Sequence, residues 1–272
     1  MKAAAFEYVR PRDLAEAVRA LGAGSGAKLL AGGQSLGPML NLRLARPRLL
    51  IDIARLDALR RIDDAGDAWR VGGAVTHAEI EDATLPGGAM LVAVAGGIAY
   101  RAVRNRGTIG GSLAHADPAA DWPLALAALD ASVIVRGPAG ERRVAADRFM
   151  TAAFTTALGD DEIVEAVLVP KLSAAARFGY FKFCRKTGEF PEASAAVVLD
   201  PARRVARLFV GALSGAPQPL PALASDLAER GAVAATPDAI AAALTAALPG
   251  LDAVERRMQG GAVLRALKQV FA

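Results

Sequence analysis

Two glycine pairs, each closed by a small hydroxyl residue, carry the chain's most suggestive chemistry: Ala31-Gly32-Gly33-Gln34-Ser35 near the N-terminus and, well downstream, Thr108-Ile109-Gly110-Gly111-Ser112. Adjacent glycines remove the Cβ atoms that would keep an anion away from the backbone, and successive N–H groups turned inward form an anion-binding nest. Taken singly, each pair is equally at home in a hairpin or a tight loop. Brought together, the two bends can hold a pyrophosphate. Ser35, Thr108 and Ser112 add hydroxyls that both donate and accept where a lysine would be too bulky.

Other chemistry is sparse. One cysteine, Cys184, excludes an internal disulfide framework, and with only His77 and His115 a zinc or iron–sulfur site built by this chain alone is not expected. No nucleophile–base pair or paired-carboxylate arrangement stands out, so no catalytic side chain is assigned and the chemistry is left to a cofactor. The charge balance of 32 basic against 28 acidic residues, net +4, is dispersed, and 5% aromatic content offers no stacking platform for nucleic acid. The basic excess favours anionic ligands or acidic partner surfaces. Gly22-Ala23-Gly24-Ser25-Gly26-Ala27 satisfies G-x-G-x-x-A, but a helix precedes it and a strand follows, the reverse of a dinucleotide fingerprint; it reads as a helix-terminating loop.

The elements that must position the glycine pairs follow from pattern. Asp13-Leu14-Ala15-Glu16 reads as a capping box opening a short helix that stops at Gly22. Lys28 to Ala31 reads as a strand entering the first glycine bend, and Leu49 to Ile53 as another. Alternation runs from Arg60 to Val75, and Thr76-His77-Ala78-Glu79 is a second capping box; a helix is expected over Met90 to Ile98. The basic stretch Tyr100 to Gly107 is expected to be an irregular loop over the ligand, delivering the chain into the second glycine bend. A helix after Asp121 and strands at Ser132 to Arg136 and Ile163 to Val169 complete this half, which Pro170 closes. Beyond Leu172, strands at Phe178–Arg185, Ser194–Leu199 and Val205–Ala212 precede helices near Ala222–Glu229, Asp238–Leu248 and Ala253–Phe271, a succession that suggests a separate α+β domain. A length of 272 residues, 53% hydrophobic, suits two domains. The N-terminal residues lack a signal-peptide pattern and no charge-free run of about 18 apolar residues occurs, so no membrane span and a cytoplasmic location are expected.

These stretches resemble the flavin-binding subunit of molybdenum-containing hydroxylases, the family of the carbon monoxide dehydrogenase medium subunit and the FAD domain of xanthine dehydrogenase. The matching residues are Ala31 to Leu36 with Pro38-Met39, Arg43-Leu44-Ala45, Leu50 to Ile53, Thr108 to Gly111 running through to Asp121, Phe181-Lys182 and Arg185-Lys186. The resemblance implies an α+β chain: a two-part FAD-binding domain of the vanillyl-alcohol-oxidase-like (PCMH) type over residues 1–172, with subdomains of about 1–55 and 56–172, then a smaller C-terminal domain, 173–272, with a three-stranded sheet and helices. It implies FAD as cofactor, held by Leu29, Leu30, Ala31, Gly32, Gly33, Gln34, Ser35, Leu36, Thr108, Ile109, Gly110, Gly111 and Ser112, with Asp117, Asp121, Val164 and Lys182 joining them. Asp121 suits an acceptor for ribose or ribityl hydroxyls. Lys182 suits a positive charge near the flavin or its phosphates. Phe190 occupies the place where relatives carry an aromatic against the isoalloxazine ring. Ser112 and Gln34 depart from the Asn and His frequent in the family.

The implied role is electron transfer: electrons leave a substrate in a large molybdopterin-binding partner, cross a small partner bearing two 2Fe–2S clusters, and reach FAD here before passing to NAD, oxygen or a quinone. The assembly implied is a dimer of heterotrimers. Two other readings are carried: a self-contained FAD oxidoreductase of the same fold, against which the small C-terminal region counts, and a non-catalytic assembly module. Among single residues, His77 reads as a surface or capping residue, His115 stands open between contact with cofactor or partner and neither, and Cys184 reads as a small buried hydrophobe.

Overall fold

The computed structural model describes residues 2–23 and 26–272; Gly24 and Ser25 of the G-x-G-x-x-A stretch lie outside the described residues. The chain opens with β1 (Glu7–Val9), α1 (Leu14–Gly22), β2 (Ala27–Leu30), α2 (Leu36–Asn41) and β3 (Leu49–Asp52). The three strands form a small parallel sheet in the order β1-β3-β2, with Leu29 opposite Ile51. Asp13 caps α1 by accepting from Glu16 N at 2.7 Å, while the Glu16 carboxylate turns back to the backbone of Arg12, so the expected box is half formed. Ala17, Val18, Ile51 and Ile53 bury the inner face of this unit against Leu59 and Ala74.

The middle of the chain contributes β4 (Ile62–Asp64), β5 (Ala68–Gly72), α3 (His77–Glu81), α4 (Ala89–Gly97), α5 (Arg101–Arg104), α6 (Ile109–His115) and α7 (Asp121–Ala128). Then come β6 (Ser132–Gly137), β7 (Gly140–Ala145), α8 (Ala146–Phe149), β8 (Met150–Ala152), β9 (Thr155–Thr156) and β10 (Ile163–Pro170). An antiparallel five-stranded sheet, β4-β5-β10-β6-β7, carries a bulge between Val164 and Ala166. The helices cover this sheet, and α7, buried along its whole length, is the centre of the largest core.

The last part holds β11 (Arg177–Phe183), β12 (Ala193–Asp200), β13 (Val205–Gly211), β14 (Gln218–Pro219), α9 (Pro221–Arg230), α10 (Pro237–Ala247) and α11 (Ala253–Val270). The expected three-stranded sheet has a fourth, two-residue strand, β14, pairing with Phe209 and Val210; a two-residue pairing has too little periodicity to be visible in sequence. One face of this antiparallel sheet packs on α9, α10 and α11, where Val197, Leu208 and Val210 meet Leu223, Leu244 and Val263. From the other face Ala196, Val198 and Phe209 join the core built around α7. Alternate residues of a strand point to opposite faces, so one sheet serves two cores.

Candidate functional site

The two glycine-bearing segments meet. A Cβ on Gly32 would lie 2.0 Å from the carbonyl oxygen of Arg106 and 2.9 Å from the Cα of Gly107. Glycine alone permits that approach, which seats the loop after β2 on the backbone leading into α6. Ala31 flanks the same seam, its Cβ 4.0 Å from where a Cβ on Gly111 would stand.

On the first side, Leu29 and Leu30 end β2, Gly33 turns the chain with φ 72°, and Ser35 and Leu36 begin α2. The backbone N–H groups of Gly32, Gly33, Gln34, Ser35 and Leu36 make no hydrogen bond within the described chain. Ser35 precedes α2 without capping it, which leaves its hydroxyl uncommitted as well. Five successive donors on one glycine-bearing loop form a cradle that the protein itself does not fill.

The second side is different. Residues 109–115 form α6, so the expected second bend is the first turn of a helix. Its N–H groups are spoken for: Ile109 donates to Val75 O at 3.1 Å, Gly110 to Gly73 O at 3.0 Å, Gly111 to Thr108 Oγ1 at 3.1 Å and Ser112 to Thr108 O at 3.0 Å. A Cβ on Gly110 would stand 2.5 Å from Gly73 O, so this glycine serves close packing against the strand end rather than exposure of donors. Between Gly107 and Ser112 only Thr108 keeps its N–H unbonded within the described chain.

The stretch before it is also not the irregular loop expected. Tyr100 leads into the helical turn α5, whose arginines are consumed by the acids that end and follow α3: Arg101 pairs with Glu81 at 2.7 Å and with Asp82, and Arg104 pairs with Glu81 at 2.8 Å while donating to Ile98 O. Those carboxylates are held below the usual range by the guanidinium hydrogen bonds. Arg106 is exposed and has no carboxylate partner among the described residues.

His77 sits beneath the seam, not on the surface. It is 5% exposed, its N–H donates to Gly107 O at 2.9 Å, and its ring packs so closely that a Cβ on Gly107 would be 2.8 Å from Nε2. Its Nδ1 accepts from Trp122 Nε1 at 3.1 Å. Burial, then the charge of Arg104, push its pKa down to about 4, so the imidazole is neutral with its proton on Nε2. The capping box it follows is complete: Thr76 accepts from Glu79 N, and the Glu79 carboxylate accepts from Thr76 N.

Asp121, the first residue of α7, is 8% exposed and receives two donors from β11 across the interface between the parts: Tyr180 Oη at 2.7 Å and Lys182 Nζ at 2.8 Å. Lys182 is thus paired. Tyr180, desolvated and beside that carboxylate, has its pKa driven well up and stays a donor. Asp117 receives Ala119 N at 2.9 Å, an Asx turn that brings the chain from α6 to α7. His115 ends α6 with its ring 5.3 Å from that of Phe154. Two expected site residues stand apart from the seam. Val164 is a core residue whose carbonyl underlies Gly73, and Phe190 is 66% exposed in the loop between β11 and β12. In that loop Gly188, φ 91°, packs on the Tyr100 ring. Among the described residues no group of three or more His, Cys, Asp or Glu side chains can hold a metal ion, and no helix is long and apolar enough to cross a membrane.

Sequence reasoning missed Gly73, Gly107, Trp122 and Tyr180. Gly72-Gly73 is one of four further glycine pairs in the sequence and closes a strand, and Tyr180 is the same-face neighbour of Lys182, two positions before it.

Residues 4–172 match the family described as FAD binding domain in molybdopterin dehydrogenase. The chain belongs to that family. It is 39% identical to the nicotine 6-hydroxylase medium subunit of Paenarthrobacter nicotinovorans over 229 residues, 81% of this chain and 79% of that one. It is 42% identical to the carbon monoxide dehydrogenase medium chain of Hydrogenophaga pseudoflava over 200 residues, 71% of this chain and 69% of that one. A solved structure of Hydrogenophaga pseudoflava carbon monoxide dehydrogenase, lacking the Mo-pyranopterin moiety of its cofactor, contains a chain similar to this one with TM-score 0.90 and 34% identity, covering 100% of this chain and 99% of that one.

Proposed function

We propose that the chain holds FAD along the seam between the loop after β2 and the start of α6, and serves as the electron-transferring flavoprotein subunit of a molybdenum hydroxylase. The observation that carries the reading is the backbone contact at Gly32, which sets five unpartnered N–H donors and the uncommitted Ser35 hydroxyl beside the free N–H of Thr108 and the exposed Arg106. Those groups fit the diphosphate of a dinucleotide: N–H and hydroxyl donors close in, a guanidinium for charge, and no carboxylate among them. Gly111, exposed and without a Cβ, lets a ligand approach the start of α6. Asp121 accepts a sugar or ribityl hydroxyl, Lys182 keeps that buried carboxylate paired, and Phe190 and Tyr100 flank the flavin end. Val164 acts from behind by shaping the strand bulge on which Gly73 packs, and Gly110 packs in turn on Gly73.

Bound FAD supplies reversible two-electron chemistry. The chain binds and orients it and contributes no acid or base, in keeping with the neutral, buried His77 and the paired Lys182. Its electrons come from a small partner with two 2Fe–2S clusters that is fed by a large molybdopterin-binding subunit, in a dimer of heterotrimers in the cytoplasm. The word "medium" in the names of the relatives supports companions of both sizes. The finer architecture belongs to the same reading: a vanillyl-alcohol-oxidase-like (PCMH) domain over 1–172, its two subdomains corresponding to the parallel and antiparallel sheets, and a C-terminal domain over 173–272, each with its own core.

Reconstituting the full chain with FAD tests the proposal. The expected result is one tightly retained flavin per chain, reduced by substrate only when both partner subunits are present. Failure to retain flavin, or bleaching by a small substrate without partners, overturns it.

A further inference from the structure

We infer that Tyr180 is a positioning residue for the cofactor: its phenol fixes Asp121 so that the second carboxylate oxygen is presented to a ligand hydroxyl. This rests on the proposed FAD site and extends it to a residue on the C-terminal sheet.

β11 is an edge strand, and its free edge at Tyr180 is closed by a side chain. Tyr180 N donates to Gln269 Oε1 at 2.9 Å and Gln269 Nε2 donates to Tyr180 O at 3.1 Å, so α11 completes the hydrogen bonding that a neighbouring strand would otherwise supply. Next door, a Cβ on Gly179 would stand 2.0 Å from Ala266 O, which means strand and helix backbones touch. The outer edge of β11 at residues 179 and 180 is therefore packed against and hydrogen-bonded to α11. Tyr180 and Lys182, two apart, share the face turned to α7.

Both donors go to the same atom, Oδ1 of Asp121, at 2.7 and 2.8 Å. Oδ2 has no partner in the described chain. The only fully buried side-chain polar atoms without a partner are Arg256 Nε and Gln259 Oε1 among the described residues, so Oδ2 of this otherwise buried carboxylate is reached by solvent. A carboxylate that is saturated on one oxygen and open on the other is a directed acceptor.

Lysine alone does not give that direction. Its ammonium is a point charge on a flexible stem, and a lone ammonium is satisfied by either oxygen or by both. The phenol, with two side-chain torsions and a clamped backbone, sets the carboxylate plane. Without it the carboxylate can rotate to place Oδ2 on Lys182 and withdraw the acceptor.

The test is a binding cycle on the full-length chain, with no turnover required. The dissociation constants of FAD, and of FAD analogues each lacking one ribityl or ribose hydroxyl, are measured for the unmodified protein, Asp121→Ala and Tyr180→Phe. One analogue should bind the unmodified protein about tenfold more weakly than FAD, the worth of a hydrogen bond to a charged acceptor. Tyr180→Phe should bind FAD about as weakly and lose the discrimination. Gln269→Leu, which keeps the phenol but frees the strand edge, should lose part of it and provides the readout should Tyr180→Phe fold poorly. If Asp121→Ala leaves FAD affinity unchanged, the reading of Asp121 as a ligand falls and this inference with it. If Asp121→Ala weakens binding while Tyr180→Phe and Gln269→Leu still discriminate against the same analogue, the FAD site stands and the role of Tyr180 is overturned. Uniform weakening toward FAD and every analogue overturns it too, since mere loosening of the interface would do that.

Discussion

Gly32-Gly33 and Gly110-Gly111 look alike in the sequence and do opposite work in the fold. The first pair opens a loop whose N–H groups, through Leu36, are left without partners; the second starts a helix whose N–H groups are taken by Gly73, Val75 and Thr108. Each pair contains one glycine that exists for a backbone contact, Gly32 on Arg106 and Gly110 on Gly73. The second glycine differs: Gly33 sits in the left-handed region, and Gly111 is helical with only the Thr108 hydroxyl close by. In these two segments the glycine pair marks a tight approach, and the hydrogen bonds around it decide whether the loop is left open or closed on the protein's own backbone.

The largest effects should come from filling the two contacts. Gly32→Ala and Gly110→Ala each force a Cβ to within 2.0 and 2.5 Å of a backbone carbonyl oxygen, distances that no side-chain adjustment relieves. Each should destabilise the fold by on the order of 3 kcal/mol in chemical denaturation. Their effects on FAD should part: Gly32→Ala displaces the open donors and raises the dissociation constant of the remaining folded protein more than about tenfold, the cost of losing good hydrogen bonds to a charged group, whereas Gly110→Ala changes it little. Equal losses of affinity would erase the distinction drawn between the pairs.

A pH-dependent effect of similar size concerns what holds the second segment in place. His77 has a folded-state pKa of about 4 against an ordinary 6.5, so between these values the unfolded chain binds the extra proton and the folded one does not. The resulting stability is fully present above pH 6.5, declines as the pH falls through the window and levels off below about 4, a total of about 3 kcal/mol. In His77→Asn, which retains an acceptor for Trp122 but no titrating ring, that slope should disappear from denaturation curves measured across the window. A slope that persists would show that groups other than His77 carry it.

The sequence made the regular elements legible where side chains announce them locally. The Thr76-Glu79 box, the strands flanking Gly32 and the three long C-terminal strands lie within a residue or two of expectation. What escaped it depends on partners remote in sequence. α5 is helical because Arg101 and Arg104 find Glu81 and Asp82 at the end of α3, and His77 is buried because Trp122, 45 positions on, supplies the donor for Nδ1. α6 carries two glycines in its first turn, residues of poor helical propensity, and forms because Thr108 caps it and the Gly73 and Val75 carbonyls receive its first donors. The candidate site follows the same rule: the glycine loop and Asp121 are marked locally by residue type, while Tyr180, which donates to Asp121 from 59 positions away, is not.

The finest cut between the two segments lies in their hydroxyls. Thr108 Oγ1 accepts from Gly111 N at 3.1 Å and is buried at 4% exposure, whereas Ser35, at the corresponding place before α2, is exposed and caps nothing. Removing an N-cap acceptor costs about 1 kcal/mol of stability, so Thr108→Val should lower the denaturation midpoint while leaving FAD affinity nearly unchanged, its N–H being retained. Ser35→Ala should do the reverse, with an unchanged midpoint and an affinity weakened about fivefold by loss of one hydrogen bond to the cofactor. Measured side by side, the two variants cross: one moves stability alone and the other binding alone. If both moved the same quantity, the hydroxyls would share one role, and the contrast between an open cradle and a self-satisfied helix start would not hold.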